Sequence, residues 1–266
     1  MSLDTLILLY NLITYSFIFL IGICIGSFIN VCIYRIPNNI SVAKGRSFCP
    51  TCSHQLHALD LVPLFSYLLL GKKCRYCHTS ISPRYFGVEL LTGILFILVF
   101  YKYQFTLLTL LHFIFISLLI VIAYIDYDTM DIYEYNHILF IILGLIRYLF
   151  IKDISITSQI VGALCISIPL LIIYYLIKDG IGGGDIKLMA SCGFYLGIGN
   201  TILSFLIGTV SAAIIAIYYI LTKKKNSKEV MAFGPYLCIG FTIAVLYGQQ
   251  IIAWYLGLLL WYIITL

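Results

Sequence analysis

Cys49-Pro-Thr-Cys52 and Cys74-Arg-Tyr-Cys77 lie in the one long polar stretch, residues 37–84, of an otherwise apolar chain. Each C-x-x-C pair presents two thiolates from a tight turn, so two pairs on one loop can close a tetrahedral four-cysteine zinc site. A reduced, metal-free loop and a redox pair are the alternatives, but no βαβ pattern typical of a thioredoxin-like C-x-x-C surrounds the cysteines. The spacing therefore predicts a zinc ion bound by Cys49, Cys52, Cys74 and Cys77.

The composition is that of a polytopic membrane protein. Of the 266 residues, 62% are hydrophobic and 10% are charged, whereas soluble domains are about half apolar and about a quarter charged. Apolar runs that could cross a bilayer lie near residues 6–31, 85–101, 106–125, 136–151, 155–177, 186–199, 200–221 and 231–248. A further run, 250–265, could be a ninth span, a continuation of the eighth or an interfacial segment.

These runs predict an all-α polytopic membrane protein with about eight transmembrane helices and a small cytoplasmic zinc-binding loop domain. The predicted domains are a first transmembrane helix at 1–36, the zinc-binding domain at 37–84 and a transmembrane bundle at 85–266. The 186–199 run is short, so we expect it to span only where the bilayer is thinned or neighbouring protein surrounds it.

The basic residues indicate the orientation. One cluster surrounds the cysteine loop, and a second consists of Lys223, Lys224, Lys225 and Lys228. Lysine and arginine concentrate in cytoplasmic loops, and the six runs between the clusters place both on one side. We therefore expect the cysteine loop to be cytoplasmic. The same rule accounts for the net charge of +5, so we expect a lipid bilayer and no nucleic acid as partner.

Two of the eleven acidic residues end or begin apolar runs. Asp126 ends the third run, and Asp185 follows Gly182-Gly-Gly just before the sixth. Ionisable groups at the edge of hydrocarbon are costly and are often functional. Two carboxylates brought together can share a proton, so that one activates water while the other donates to a carbonyl, as in aspartyl proteases. Alternatively, Asp185 only caps a helix and Asp126 only marks the water interface.

Glu89 lies inside the second apolar run, where a carboxylate is costly and is therefore usually paired or functional. The glycines before Asp185 could suggest phosphate binding at a helix start. However, the chain contains no G-x-x-x-x-G-K-[ST] segment, which argues against a P-loop.

Several motifs together resemble the type IV prepilin peptidase family. They run in order through most of the chain: Gly26-Ser-Phe-Ile-Asn-Val-Cys-Ile-Tyr-Arg-Ile-Pro37, the two cysteine pairs, Asp60-Leu-Val-Pro63, Ser66-Tyr-Leu68, Ile81-Ser-Pro-Arg-Tyr85, Val88-Glu-Leu-Leu-Thr-Gly93, Ile125-Asp126, Gly182-Gly-Gly-Asp-Ile-Lys-Leu-Met-Ala190 and Phe233-Gly-Pro-Tyr236. One position departs from the family, because Tyr133-Glu134 stands where members often have proline followed by aspartate or asparagine.

The resemblance implies a bifunctional enzyme of the bacterial cytoplasmic (inner) membrane. Such enzymes cleave the leader from type IV prepilins or pseudopilins at the cytoplasmic face and N-methylate the new N-terminal residue, using S-adenosylmethionine. Carried over by motif, Asp126 and Asp185 are the catalytic aspartates and the four paired cysteines hold zinc. The methyl-donor site cannot be located by spacing, and Glu89 and the Gly26–Asn30 region are the candidates.

Two other functions fit parts of the sequence. A G-x-G-D intramembrane protease with other substrates would not need the cysteine loop. A zinc-stabilised membrane transporter or assembly scaffold would use the aspartate pair to bind an ion or relay protons. Transporters often contain inverted repeats, and the sequence shows no such symmetry.

Overall fold

The computed structural model describes residues 2–177, 181–222 and 231–265, so the lysine cluster at 223–228 lies outside the described residues. In lipid, every backbone polar group must be satisfied internally, which favours helices. The described residues form ten α-helices: α1 (Leu3–Arg35), α2 (Phe65–Leu69), α3 (Pro83–Tyr103), α4 (Leu107–Thr129), α5 (Glu134–Ile146), α6 (Ile156–Cys165), α7 (Ser167–Leu176), α8 (Gly183–Leu196), α9 (Ile198–Leu221) and α10 (Gly234–Thr265). A π-helical turn, Arg147–Ile151, extends α5, and a 3₁₀ turn, Ala58–Leu61, precedes α2.

Seven helical segments of the described chain are long and apolar enough to cross a membrane. They are Leu3–Arg35, Pro83–Tyr103, Leu107–Thr129, Glu134–Ile151, Ile156–Leu176, Ile198–Leu221 and Gly234–Leu258. The prediction of an all-α polytopic membrane protein is thereby confirmed. Residues 250–265 continue the last predicted span, because α10 runs unbroken from Gly234 to Thr265.

The sixth apolar run forms α8, which has only 14 residues. At 1.5 Å per residue it is shorter than the roughly 30 Å hydrocarbon core. Near its start Lys187 pairs with Glu134 at the start of α5, and near its end the Tyr195 carbonyl accepts from Arg147 just after α5. α8 therefore runs parallel to α5 over the same depth. It is packed against α5, α6, α7, α9 and α10, so neighbouring protein surrounds it as expected.

The chain divides into two compact units, Met1–Thr109 and Leu110–Leu266. The first contains α1, α2, α3 and the cysteine loop, so α3 packs along α1 although the sequence interpretation grouped it with the bundle at 85–266. The second contains the helices from α5 to α10 and the part of α4 that carries Asp126. The predicted domain limits at residues 36 and 84 stay predictions.

Glycines allow α1 and α3 to approach closely. A Cβ atom added at Gly22 would lie 2.7 Å from the Gly93 Cα, and one added at Gly26 would lie 2.7 Å from the Glu89 Cα. Small residues bring membrane helices together in this way. One turn further along α1, the Asn30 side-chain amide donates to the Tyr85 carbonyl over 3.0 Å. The contact therefore fixes Ser27 and Asn30 of α1 against the first half of α3.

Arg35 anchors the start of the cysteine loop. Its side chain is buried, and its guanidinium donates to the carbonyls of Ser41, Lys44 and Arg46 over 2.8 to 2.9 Å. Arginine offers five N–H donors in a fixed fork, which suits a loop whose carbonyls turn towards one point. The last turn of α1 thus holds the chain that leads into Cys49.

A polar network fixes the end of α8 away from Asp185. Arg147 forms a two-point ion pair with Asp153, at 3.0 and 2.6 Å, and donates to the Tyr195 carbonyl over 3.1 Å. The Tyr195 hydroxyl lies 2.7 Å from Nδ1 of His112 on α4. Because buried polar groups are costly unless they are paired, this network sets how α4, α5 and α8 pack in the second unit.

Candidate active site and metal centre

Asp126 is held by a residue far away in the sequence. It lies buried near the end of α4, and its Oδ2 accepts a 3.0 Å hydrogen bond from the backbone N–H of Gly234, the first residue of α10. The first N–H groups of a helix have no partner within the helix, so the carboxylate satisfies one of them. The start of a helix also carries partial positive charge, which favours an anion there.

Gly234 is required by this contact. A Cβ atom at this position would lie 2.6 Å from the Asp126 Oδ2, a distance that side-chain atoms do not tolerate. The Phe233-Gly-Pro-Tyr236 segment was recognised in the sequence only as a family motif. Its contact with Asp126 could not be found from spacing, because the two residues are 108 positions apart.

Asp185 is the third residue of α8 and is also buried. No described protein group donates a hydrogen bond to its Oδ1. Its Oδ2 lies over Gly182, where an added Cβ would come within 2.9 Å. Asp126 acts electrostatically on Asp185, so the second unit brings the two predicted carboxylates into one site. A capping role alone does not explain a carboxylate oxygen without a donor.

Further acidic residues lie in the segment that follows Asp126. Asp128 and Asp131 are exposed in the segment after Asp126, and the charge of Asp131 acts on Asp126. Ile132 in the same segment packs against Gly184, with 3.2 Å between its Cβ and an added Cβ. Lys187 pairs with Glu134 and with neither aspartate. Among the residues that the structure describes, no lysine pairs with Asp126 or Asp185.

The four cysteines come together in two matching turns. The Ser53 N–H donates to the Cys49 carbonyl and the His78 N–H to the Cys74 carbonyl, over 2.8 and 3.0 Å. The residue after the second cysteine of each pair, Ser53 and His78, adopts a φ of 57°. Each turn is closed by an isolated antiparallel bridge, Phe48 with Gln55 and Lys73 with Ser80. The repeated C-x-x-C spacing thus folds into a repeated structure.

The geometry fits a tetrahedral metal. All four Sγ atoms lie within 4.8 Å of one another, and those of Cys49 and Cys77 are 3.9 Å apart. Zinc–sulfur bonds of about 2.3 Å in a tetrahedron require sulfurs about 3.8 Å apart. Four thiolates fill such a site and leave no position for a substrate, so the predicted zinc would be structural.

The electrostatics of the cysteines also favour a cation. Hydrogen bonds from the Thr79 hydroxyl and N–H lower the pKa of the Cys77 thiol to about 6. A hydrogen bond from the His54 N–H favours the thiolate of Cys52, but burial and the neighbouring sulfurs raise its pKa to about 11. Repulsion between thiolates therefore opposes ionisation of the full set, and a bound divalent cation would remove that opposition.

Glu89 forms a hydrogen bond with the backbone of the cysteine loop. Its buried carboxylate accepts from the Leu64 N–H over 2.8 Å and from the Ser27 side chain. Leu64 has a φ of 63°, which is uncommon for a residue with a branched side chain. The hydrogen bond thus holds a strained residue at the start of α2 against α1 and α3.

Comparisons with known proteins agree with this architecture. A model of the bacterial peptidase A24 N-terminal domain matches residues 20–103, and a model of the type IV leader peptidase family matches residues 113–217. The chain belongs to the type IV leader peptidase family. The resemblance inferred from the motifs is therefore confirmed. No solved structure gives a significant match.

Curated relatives match nearly from end to end, and all three described here are named prepilin leader peptidase/N-methyltransferase. The Bacillus subtilis protein is 32% identical, over 92% of this chain and 99% of its own length. The Aeromonas hydrophila protein is 31% identical over 91% and 93%, and the Neisseria gonorrhoeae protein is 33% identical over 82% and 85%. These matches therefore extend over both compact units of this chain.

We predict that Gly234→Ala lowers kcat for leader cleavage by about 100-fold, because a displaced carboxylate loses its alignment. Gly257→Ala changes the same helix where an added Cβ meets nothing within 4 Å, and it should cleave normally. The measurement is steady-state cleavage of a prepilin peptide by detergent-purified protein. Equal rates for the two variants would show that the Gly234 contact does not position Asp126.

We also predict one zinc ion per chain, measured by metal analysis after purification without chelators. Cys74→Ser should lose the metal, whereas Cys165→Ser, outside the four-cysteine cluster, should retain it. Because structural zinc supplies folding energy to small domains, hydrogen exchange in Cys74→Ser should rise in residues 37–84 more than in α4 to α10. A zinc content near zero in the unaltered protein would contradict the assignment.

Proposed function

We propose that this chain cleaves the leader peptides of type IV prepilins or pseudopilins and N-methylates the new N-terminal residue. The observation that carries the proposal is a pair of buried, interacting carboxylates, Asp126 and Asp185, in a family whose curated relatives are named for both activities. A transporter or assembly scaffold with an ion-binding aspartate pair is not favoured, because these relatives match over nearly their whole length.

Asp126 and Asp185 are proposed as the catalytic pair. The unprotonated carboxylate removes a proton from water as the water oxygen bonds to the scissile carbonyl carbon. The protonated partner donates a hydrogen bond to the carbonyl oxygen. When the carbon–nitrogen bond breaks, a proton passes from the pair to the leaving amine, and the pair returns to one shared proton.

The contacts of the two residues suggest how the roles divide. Asp126 accepts a hydrogen bond from the Gly234 N–H, and hydrogen bonds to the charged form of a carboxylate favour that form. Both carboxylates lie at the start of a helix, so the helix dipole does not distinguish them. Asp185, however, has an oxygen to which no described group donates, so it suits the proton-bearing partner. We therefore assign the removal of the water proton to Asp126 and the donation to the carbonyl to Asp185.

Zinc and S-adenosylmethionine are the proposed cofactors. Cys49, Cys52, Cys74 and Cys77 would hold zinc, which would stabilise the loop in a folded form. The methyl donor would supply an activated methyl group to the amine that cleavage releases, and Glu89 is the proposed contact for it. The proposed location is the bacterial inner membrane, with the zinc-binding loop and the aspartates at the cytoplasmic face.

We predict that Asp126→Asn and Asp185→Asn each lower leader cleavage by at least about 10³-fold, because an amide of the same shape cannot exchange a proton. Asp128→Asn makes the same change on an exposed neighbour and should keep most activity. Cleavage is read by the masses of the products. The melting temperature of each variant in detergent reports that it is folded, and near-normal turnover by Asp126→Asn or Asp185→Asn would remove that residue from the pair.

The orientation is tested with cysteines introduced at Asn226 and at Gln104. Gln104 is exposed in the short connection between α3 and α4, which the positive-inside rule places outside. In intact cells an impermeant thiol reagent should label Gln104→Cys, and it should label Asn226→Cys only after permeabilisation. The reverse pattern would overturn the cytoplasmic assignment of the active site.

A further inference from the structure

The first unit contains a cavity of about 620 Å³. It lies between the second half of α1, the first half of α3 and the cysteine loop. Its lining residues include five aromatic residues and one acid: Tyr34, Phe48, Tyr67, Tyr85, Phe86 and Glu89. Sites for small organic ligands have about 300–1,000 Å³ and combine mostly apolar walls with a few fixed polar groups. The cavity has the size and the lining of such a site.

We infer that this cavity is the methyl-donor site and that Glu89 faces the positively charged sulfur of the donor there. The inference rests on the proposed methyltransferase function and locates it within the chain. Nothing in the sequence spacing indicated a cavity, because its walls come from three separate segments.

The lining matches the chemistry of S-adenosylmethionine. The donor joins a flat adenine ring to a sulfonium cation, and aromatic faces attract both flat rings and cations. Glu89 adds a negative charge in a low-dielectric setting, where its attraction for a cation is strong. The partners of Glu89, the Leu64 N–H and the Ser27 side chain, are neutral, so they orient the carboxylate without cancelling its charge.

Transfer in such a site needs alignment more than acid–base chemistry. The lone pair of the unprotonated amine forms a bond to the methyl carbon, and the carbon–sulfur bond breaks with its electrons returning to sulfur. The products are a neutral thioether and a methylated ammonium, whose extra proton leaves to solvent. A fixed anion beside the sulfur favours binding of the charged donor over the neutral product, which promotes exchange after each turnover.

The close contact of α1 with α3 builds the acidic wall. Because Gly26 carries no side chain, α1 lies against α3 at the level of Glu89, with 2.7 Å between an added Cβ and the Glu89 Cα. This contact brings the next residue, Ser27, into hydrogen-bond range of the carboxylate. The Gly26–Asn30 region is thus a support for Glu89.

The cysteine loop forms the opposite wall. Phe48, Cys49, Cys74 and Thr79 line the cavity, and they belong to the two turns that the zinc site would join. Asp60 braces the same loop by accepting from Arg75 over 2.6 Å and from the Tyr76 hydroxyl over 3.2 Å. Donor binding should therefore require a folded cysteine loop.

The test measures equilibrium binding of radiolabelled S-adenosylmethionine and of S-adenosylhomocysteine, its neutral-sulfur product, to the full-length protein in detergent. Glu89→Gln should weaken binding of S-adenosylmethionine about tenfold while changing that of the product less than about twofold, because only the first carries the sulfonium charge. An equal change for both ligands, or none, would overturn the assignment of Glu89.

A second pair of variants tests the cavity itself. Ser66 lines the cavity, whereas Leu69 on the same helix does not and is 85% exposed. Ser66→Phe should weaken both ligands at least about tenfold by filling the space, and Leu69→Phe should bind them normally. Unchanged binding by Ser66→Phe with full zinc content would show that the donor binds elsewhere.

The experiments distinguish failure of the proposed methyltransferase function from failure of the proposal that the donor binds in this cavity. If the unaltered protein neither binds S-adenosylmethionine nor methylates a pre-cleaved pilin peptide, the methyltransferase function is wrong. If it does both while Glu89→Gln and Ser66→Phe bind the donor normally, the function stands and the cavity is not its site.

Discussion

The hydrogen bond from the Gly234 N–H to Asp126 joins two groups that would each be costly alone. The N–H at the start of α10 has no partner within its own helix, and a buried carboxylate needs a donor. Pro235, the next residue, has no N–H to satisfy. One hydrogen bond between residues 108 positions apart therefore satisfies both the N–H and the carboxylate, and it fixes α4 relative to α10. The orientation of Asp126 depends on it, and so does the interaction with Asp185.

The segments around Asp185 and Glu89 also require close approach between neighbouring groups, and glycine residues allow it. Gly182 leaves room for the Asp185 carboxylate, Gly184 for Ile132, and Gly26 for the Glu89 backbone. A methyl group would lie 2.9 Å from the Asp185 Oδ2 at Gly182 and 2.7 Å from the Glu89 Cα at Gly26, so it would displace the carboxylate or the helix there. The glycines next to the acidic residues are thus part of the packing that positions those residues, in addition to any freedom they give the chain.

The sequence predicted what is encoded locally. The cysteine turns follow from C-x-x-C spacing, and the spans follow from apolar runs. The sixth run is the exception, because it forms the 14-residue helix α8, which is not among the seven membrane-crossing segments of the described chain. Glu89 could be identified as a carboxylate in need of a partner. Its partner, the Leu64 N–H, could not be found, since backbone groups carry no sequence signal. The Gly234 contact and the three carbonyls around Arg35 escaped prediction for the same reason.

The contacts of the three buried acids separate two kinds of chemistry. Glu89 is held by two neutral donors, the Leu64 N–H and the Ser27 side chain, which suits a fixed anion that attracts a cation. Asp126 and Asp185 act on each other, and Asp185 retains an oxygen to which no described group donates. Proton transfer requires a carboxylate that can gain and lose a proton, whereas methyl transfer requires orientation. Hydrogen bonding therefore distinguishes the proposed catalytic pair from Glu89 more clearly than burial does, since all three acids are buried.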